Sequence, residues 1–313
     1  MVTFICIVLV AFSLGTKGVC SNIARHYKAV TNKTEGHSYG PIDFVYMINL
    51  DHRPKKYAKS LSELDPYGIR PLRFSAVNGW ELTHSALQDI GLVYTQSMRS
   101  GAMGTTFVWK EGKEYRSYEL LGKEGTTYFA HGISRGAIGC LMSHISILKD
   151  AYKAGYELIW IMEDDIEVVK DPSLLIGLIR KLDELVGRKN WDVFYTDRDY
   201  RKGENDYILA HGTDHRPDVE TRNPKKYDID HEIAKNLRQI GSRFATHSII
   251  WTRGGIRKYV DYIEEHGMYL PIDMDIHLAP GMHMYSVTSD IVTNRLNAPT
   301  DNAKNIAKTV PTF

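Results

Sequence analysis

Apolar and polar positions follow one another along this chain in blocks that predict strand, polar strand end and helix, several times over. Phe44-Val45-Tyr46-Met47-Ile48-Asn49-Leu50 is a mostly apolar run of strand length that ends in polar residues. Tyr57 to Leu64 reads as a helix closed by Asp65-Pro66-Tyr67-Gly68, and Arg70 to Val77 as the next strand, turned by Asn78-Gly79. That order is a βαβ unit. Leu82 to Phe129 is less regular and predicts a helix followed by an insertion, such as a hairpin, able to lie over a site. From Ser134, a suitable N-cap, helical spacing returns: Ile138, Leu141, Met142, Ile145, Leu148 and Tyr152 share one face. His144 lies between them, and a lone histidine in such a place reads as structural.

The central block is Leu158-Ile159-Trp160-Ile161-Met162, unbroken and apolar, as in a strand buried on both faces of a parallel sheet. It runs directly into Glu163-Asp164-Asp165. Asp171-Pro172 then opens a helix that extends to about Val186, and Trp191 to Thr196 is a strand ending at Asp197. Gly203 to Asn236 is a long polar stretch, the composition of a lid or a locally disordered segment. Thr246–Thr252 reads as a strand, Gly254–Glu265 as a helix, and Pro271-Ile272-Asp273-Met274-Asp275 closes the pattern with two acids at i and i+2. The fold class this predicts is α/β: one domain over residues 42–300, with a mainly parallel central sheet flanked by helices.

Composition narrows the function. A hydrophobic content of 43% supplies a core, and a net charge of +1 lacks the basic excess of a nucleic-acid binder. Phe4 to Leu14 is apolar but short for a bilayer span, which suits a signal-peptide core over residues 1–21. A buried strand or an uncleaved anchor are the alternatives, and an uncleaved segment would be the chain's one membrane contact. A secretory route follows: ER or Golgi lumen, or periplasm and cell envelope. Residues 22–41 read as a linker and 301–313 as a tail. Cleavage near Cys20 would leave Cys140 as a lone thiol, so no internal disulfide framework is expected.

Three adjacent carboxylates oppose each other's ionisation, and a hard divalent cation such as Mg²⁺ or Mn²⁺ removes that penalty. Period-two geometry puts Glu163 and Asp165 on one side of an extended chain, with Asp164 opposed. A cation between Glu163 and Asp165 at the carboxyl end of a central strand suits a nucleotide diphosphate. A solvated acidic turn is the other reading. Asn49 and Arg53, at the end of the first strand, could hold a nucleobase, ribose or phosphate, with Asp164 on the nucleotide side. Lys55 and Lys56 read as solvated surface residues.

Taken in order, these segments resemble glycosyltransferase family 25, which includes lipopolysaccharide-type sugar transferases and collagen galactosyltransferases. The likeness rests on Ile48-Asn49-Leu50-Asp51-x-Arg53 and on Arg73-Phe74-Ser75-Ala76-Val77-Asn78-Gly79. It is strongest in Gly136-Ala137-Ile138-Gly139-Cys140-Leu141-Met142-Ser143-His144 and Met162-Glu163-Asp164-Asp165-Ile166. Trp191-Asp192-Val193, Ala245-Thr246-His247-Ser248 and Pro271-Ile272-Asp273 complete it. The resemblance implies a GT-A-like nucleotide-sugar-binding fold and a UDP-sugar donor, usually of galactose or glucose. It implies inversion at the anomeric carbon and a glycan, lipopolysaccharide-type or protein acceptor. Asp165 and Glu163, completed by His247, are then the expected metal ligands. Asp273, in the Pro-Ile-Asp segment, is the first choice for catalytic base, and Asp197 the second. Two positions depart from the family pattern: Ala137 stands where Glu is common, and Ala245 where Gly is usual. A catalytically inactive carbohydrate- or nucleotide-sugar-binding relative is the alternative function.

Overall fold

The computed structural model describes residues 22–221 and 223–302. The signal-peptide reading of residues 1–21 and the tail from residue 303 lie outside them. The predicted βαβ unit is β1 (Phe44–Asn49), α1 (Pro54–Leu64) and β2 (Leu72–Ser75), with β1 and β2 parallel. The insertion that follows is α2 (His84–Ile90) and a four-stranded sheet of β3 (Leu92–Val93), β4 (Met103–Lys110), β5 (Lys113–Leu120) and β6 (Thr127–Ala130). Strands β4 and β5 form its long hairpin. Next come α3 (Arg135–Ala154), β7 (Leu158–Glu163), β8 (Ile166–Val168), α4 (Leu174–Val186) and β9 (Val193–Tyr195). Two hairpins, β10 (Tyr200–Gly203) with β11 (Asp206–Ile208) and β12 (Asp230–Ala234) with β13 (Leu237–Ile240), precede β14 (Ser248–Thr252). Helices α5 (Arg253–His266) and α6 (Ile272–Asp275) and strands β15 (Met284–Val287) and β16 (Val292–Asn294) complete the chain.

The central sheet has the order β12-β13-β15-β9-β14-β7-β1-β2. Its pairings make β2, β1, β7, β9, β15 and β12 run one way, with β14 and β13 reversed. Strand β7 is interior, between β14 and β1, and Leu158 to Met162 are completely buried. Alternation divides them between the two faces. Ile159 and Ile161 join the core that contains α3 and α5 residues such as Leu141, Ile145, Ile256 and Tyr259. Leu158, Trp160 and Met162 join the opposite core with Leu175, Ile179 and Leu182 of α4. Each such buried side chain stabilises the fold by about 1.5–3 kcal/mol relative to exposure. The Trp160 indole N–H is satisfied by Ser248 Oγ at 2.8 Å, so its burial leaves no donor unpaired.

Helix α3 starts where its cap predicts: the Ser134 hydroxyl accepts from Ala137 N at 3.0 Å. Its first turns lie against the turn Gly79–Glu81. A Cβ on Gly79 would stand 1.7 Å from the Arg135 carbonyl oxygen, and one on Gly139 2.4 Å from Gly79 N. Two glycines therefore permit a contact that brings Gly136 and Cys140 to the edge of the cleft.

Three local expectations change. Helix α4 begins at Leu174 rather than at the Asp171-Pro172 step, because Asp171 Oδ1 takes Ser173 N (2.8 Å) in a separate preceding turn. The polar stretch 203–236 is not one free loop: hairpins occupy its ends, and the fully buried Arg216 fastens its middle. Arg216 donates to Asp275 at 3.0 and 3.1 Å and to Asp218 at 3.1 Å. Residues 22–41 lie against the body of the fold: Ile23 is buried, and Lys28 Nζ reaches Ser75 Oγ at 2.6 Å. Among the described residues no helix is long and apolar enough to cross a membrane.

Candidate active site

The acidic triplet ends β7 next to the end of β1, with Ile48 paired to Glu163. Two lobes of a cleft meet there. The smaller, about 90 Å³, is lined by Asn49, Lys56, Trp80 and residues 300–302; the larger, about 370 Å³, by Ala137, Tyr200, Ala245, His247 and Asp273. Glu163 and Asp165 border both, whereas Asp164 borders only the smaller. All three acids border the smaller lobe, and Asp164 and Asp165 lie in the turn between β7 and β8 rather than on an extended strand, so the expected strand alternation does not order them.

Ligand atoms of Glu163, Asp165 and His247 all lie within 4.8 Å of one another. His247 Nδ1 is 3.3 Å from Asp165 Oδ1, and His247 Nε2 is buried with no hydrogen-bond partner. Two carboxylates and an imidazole this close offer a donor set that fits a divalent cation such as Mn²⁺ or Mg²⁺. Without one, the protein balances these charges itself. Burial opposes the ionised form of Asp165, but the charge and hydrogen bond of His247, helped by Lys56, take its carboxyl down to about 2. Burial also opposes charging of His247, yet Asp165 and then Glu163 raise it to about 9. Glu163 accepts from Thr246 Oγ1 at 2.8 Å and faces His144 Nε2 at 3.4 Å. The His144 hydrogen bond, followed by the His247 charge, outweighs burial and holds the Glu163 carboxyl below its usual range.

On the smaller lobe, Asp164 accepts from Asn49 Nδ2 (2.6 Å) and pairs with Lys56 Nζ (2.9 Å). Burial nevertheless leaves its carboxyl raised. Lys56 is therefore not the solvated surface residue expected from the sequence: it lies 4.0 Å from Asp165 as well and lines the cleft. The first turn of α1 points it at the triplet, and the triplet's charge holds it there. Asn49 is itself almost fully buried and also accepts from Arg73 Nε at 2.8 Å. Arg53 lies close by, but its Nε donates to the Asp301 carboxylate at 3.0 and 3.1 Å. Trp80 Nε1 donates to the Asp301 carbonyl at 3.1 Å, so residues 300–302 lie across this lobe.

Asp273 faces the larger lobe, at the start of α6. Its Oδ2 accepts from Ala245 N at 2.8 Å and its Oδ1 from Met274 N at 3.0 Å. Burial raises its carboxyl despite these bonds. Ala245 has φ of +68°, a left-handed conformation that favours glycine. Asp197 is not brought to the cleft. It is completely buried, ion-paired to Arg243 at 2.6 Å, and lines neither lobe. The sequence reads His144 as structural and Cys140 as a lone thiol and assigns Thr246 no role, yet all three converge on Glu163. The signal available was the i, i+4 spacing of Cys140 and His144, which puts both on one helix face.

A mainly parallel α/β sheet whose central strand ends in carboxylates at a two-lobed cleft is consistent with a GT-A-like fold. Residues 42–276 match the family model described as Glycosyltransferase family 25 (LPS biosynthesis protein), and the chain belongs to that family. It is 26% identical over 157 residues to a "Glycosyltransferase 25 family member" of Aedes aegypti, covering 50% of this chain and 21% of that one. The Drosophila melanogaster protein of the same description is 25% identical over 189 residues, 60% of this chain and 26% of its own. The human "Inactive glycosyltransferase 25 family member 3" is 26% identical over 171 residues, 54% of this chain and 24% of its own. The matches thus span roughly a quarter of each relative's length.

Proposed function

We propose that this protein is a metal-dependent hexosyltransferase that moves galactose or glucose from a UDP-sugar to a hydroxyl of a glycan or protein, with inversion. The observation that carries this reading is the convergence of Glu163, Asp165 and His247 where the two lobes meet. Those three residues would hold the divalent ion, which supplies Lewis-acid stabilisation of charge on the leaving diphosphate.

The chain's own groups do the rest. Asn49 and Lys56 fix Asp164 on the nucleotide side, and Arg53 offers a guanidinium to a phosphate once Asp301 yields it. The acceptor hydroxyl oxygen bonds to the anomeric carbon as the bond from that carbon to the diphosphate oxygen breaks. The hydroxyl proton passes to a carboxylate across the ring. Asp273 is the base of choice, since it borders the larger lobe and its raised carboxyl retains basicity. The acceptor encountered along a secretory route would be a lipopolysaccharide-type, protein-linked or free glycan.

A second reading, a non-catalytic relative that binds the same ligands, is favoured by Ala137 in the larger lobe and by the occupation of Arg53. A panel of UDP-sugars separates the two, with UDP release measured in Mn²⁺ and in chelator. Metal-dependent release that disappears in Asp165→Asn supports the transferase; ligand binding with no release under any donor supports the binder.

A further inference from the structure

Glu163 belongs to a second constellation of different chemistry. Cys140 and His144 are one turn apart on α3 and face the end of β7, where Glu163 Oε1 lies 3.9 Å from Cys140 Sγ and 3.4 Å from His144 Nε2. One ligand atom from each of the three lies within 4.8 Å of the others. Bond lengths of about 2.0 Å to nitrogen or oxygen and about 2.3 Å to sulfur give tetrahedral ligand separations of about 3.3–3.5 Å. The two spacings to Glu163 need only small adjustment, and the Cys140–His144 pair lies within 4.8 Å. Cys140 borders both lobes, so an ion can reach it from the cleft.

We propose that Cys140, His144 and Glu163 form a binding site for a borderline-soft divalent cation such as Zn²⁺. Thiolate and imidazole select such a cation over Mn²⁺ or Mg²⁺, which the neighbouring oxygen-rich set prefers. Binding forms the metal–sulfur bond and releases the thiol proton to water. Metal on His144 Nε2 places the ring proton on Nδ1, which is buried without an acceptor. The missing outer bond lowers affinity roughly 10- to 100-fold relative to a supported ligand. The site is therefore filled reversibly rather than held permanently. Because it takes Glu163, its occupation draws a ligand from the set that includes Asp165 and His247. The inhibition this implies rests on the transferase reading, whereas the binding does not.

The test uses the full chain with Cys6→Ser and Cys20→Ser, which leaves Cys140 as the sole thiol. Co²⁺ titration should produce a thiolate-to-cobalt charge-transfer band in the near ultraviolet. Zn²⁺ should erase it, Cys140→Ser should abolish it, and His144→Gln should weaken Co²⁺ binding at least about tenfold. Absence of the band in the chain retaining Cys140, or equal Co²⁺ affinity with and without that thiol, would overturn the site. A second arm asks whether Zn²⁺ suppresses Mn²⁺-supported UDP release more in the Cys140 chain than in Cys140→Ser. Absence of any release fails the transferase reading while leaving the optical result to decide the site.

Discussion

Asp165 is where loss of one charge should separate function from folding. If the proposed transferase reading holds, Asp165→Asn removes a ligand of the proposed divalent ion, and metal-dependent UDP release should fall to background. Relief of repulsion within the triplet alone would predict an unchanged or slightly raised stability. The structure reverses that sign, because Asp165 is the nearest anion to His247 and also faces Lys56. In chelator the variant should lose about 1.5–3 kcal/mol, the scale of a hydrogen bond to a charged group. Thermal melting without metal checks this, and a melting temperature equal to or above that of the native chain would show that repulsion dominates. Two further residues have local consequences. Lys56→Ala leaves Asp164 with Asn49 but no cation, and should weaken binding of a nucleoside diphosphate several-fold by calorimetry. Ala245→Gly removes left-handed strain, and after the entropy cost of glycine should stabilise the chain by about 0.5 kcal/mol in urea unfolding.

At the scale of elements, the cleft depends on contacts that carry no chemistry. The turn Gly79–Glu81 and the start of α3 touch backbone to backbone, leaving no room for a methyl group. Gly79→Ala must push α3 outward, at a cost of about 1–3 kcal/mol for overpacking, and should lower activity beyond the loss of folded protein. The comparison needed is UDP release per folded molecule, with a Gly68→Ala control, where the added methyl meets nothing but φ is +68°. On the other side, Arg216 joins the polar stretch to α6, the element that presents Asp273. Arg216→Leu leaves Asp275 buried without its cation and should destabilise by about 3–5 kcal/mol. Asp275→Asn in the same chain should recover part of that loss, and failure to recover any would show that Asp275 is not the group left stranded.

At the scale of the whole molecule, both ends of the described chain pack on the body of the fold, and residues 300–302 reach the cleft. Residues 22–28 reach β2 and α3 through Ile23 and Lys28, while residues 300–302 cross the smaller lobe and bind Arg53. A lobe of about 90 Å³ is too small for a nucleoside diphosphate, for which pockets of about 300 Å³ or more are usual. Donor binding should therefore displace these residues. Asp301→Ala removes a competing anion from a partly exposed ion pair worth about 0.2–1 kcal/mol. UDP should then bind about two- to fivefold more tightly by titration, and the gain should vanish in an Arg53→Ala background. A tighter UDP affinity that persists without Arg53 would separate the effect from that guanidinium.

Much of this architecture was legible in the chain because it depends on local pattern. The apolar run from Leu158 to Met162 specifies a strand buried on both faces, and an adjacent polar end specifies where a cleft must open. Ser134 and the spacing from Ile138 to Tyr152 specify α3. What the sequence could not decide were pairings between distant residues, because neither spacing nor composition encodes them. Lys56 reads as a surface lysine until the packing of α1 places it against the triplet. Asp197 reads as a strand-end acid like Asp165 until Arg243, forty-six residues on, neutralises it in the core. Arg53 reads as a free phosphate ligand until Asp301 returns to it across 248 positions. A carboxylate's chemistry is set by the charges and the solvent around it, and those are fixed only when the tertiary structure brings the partners together.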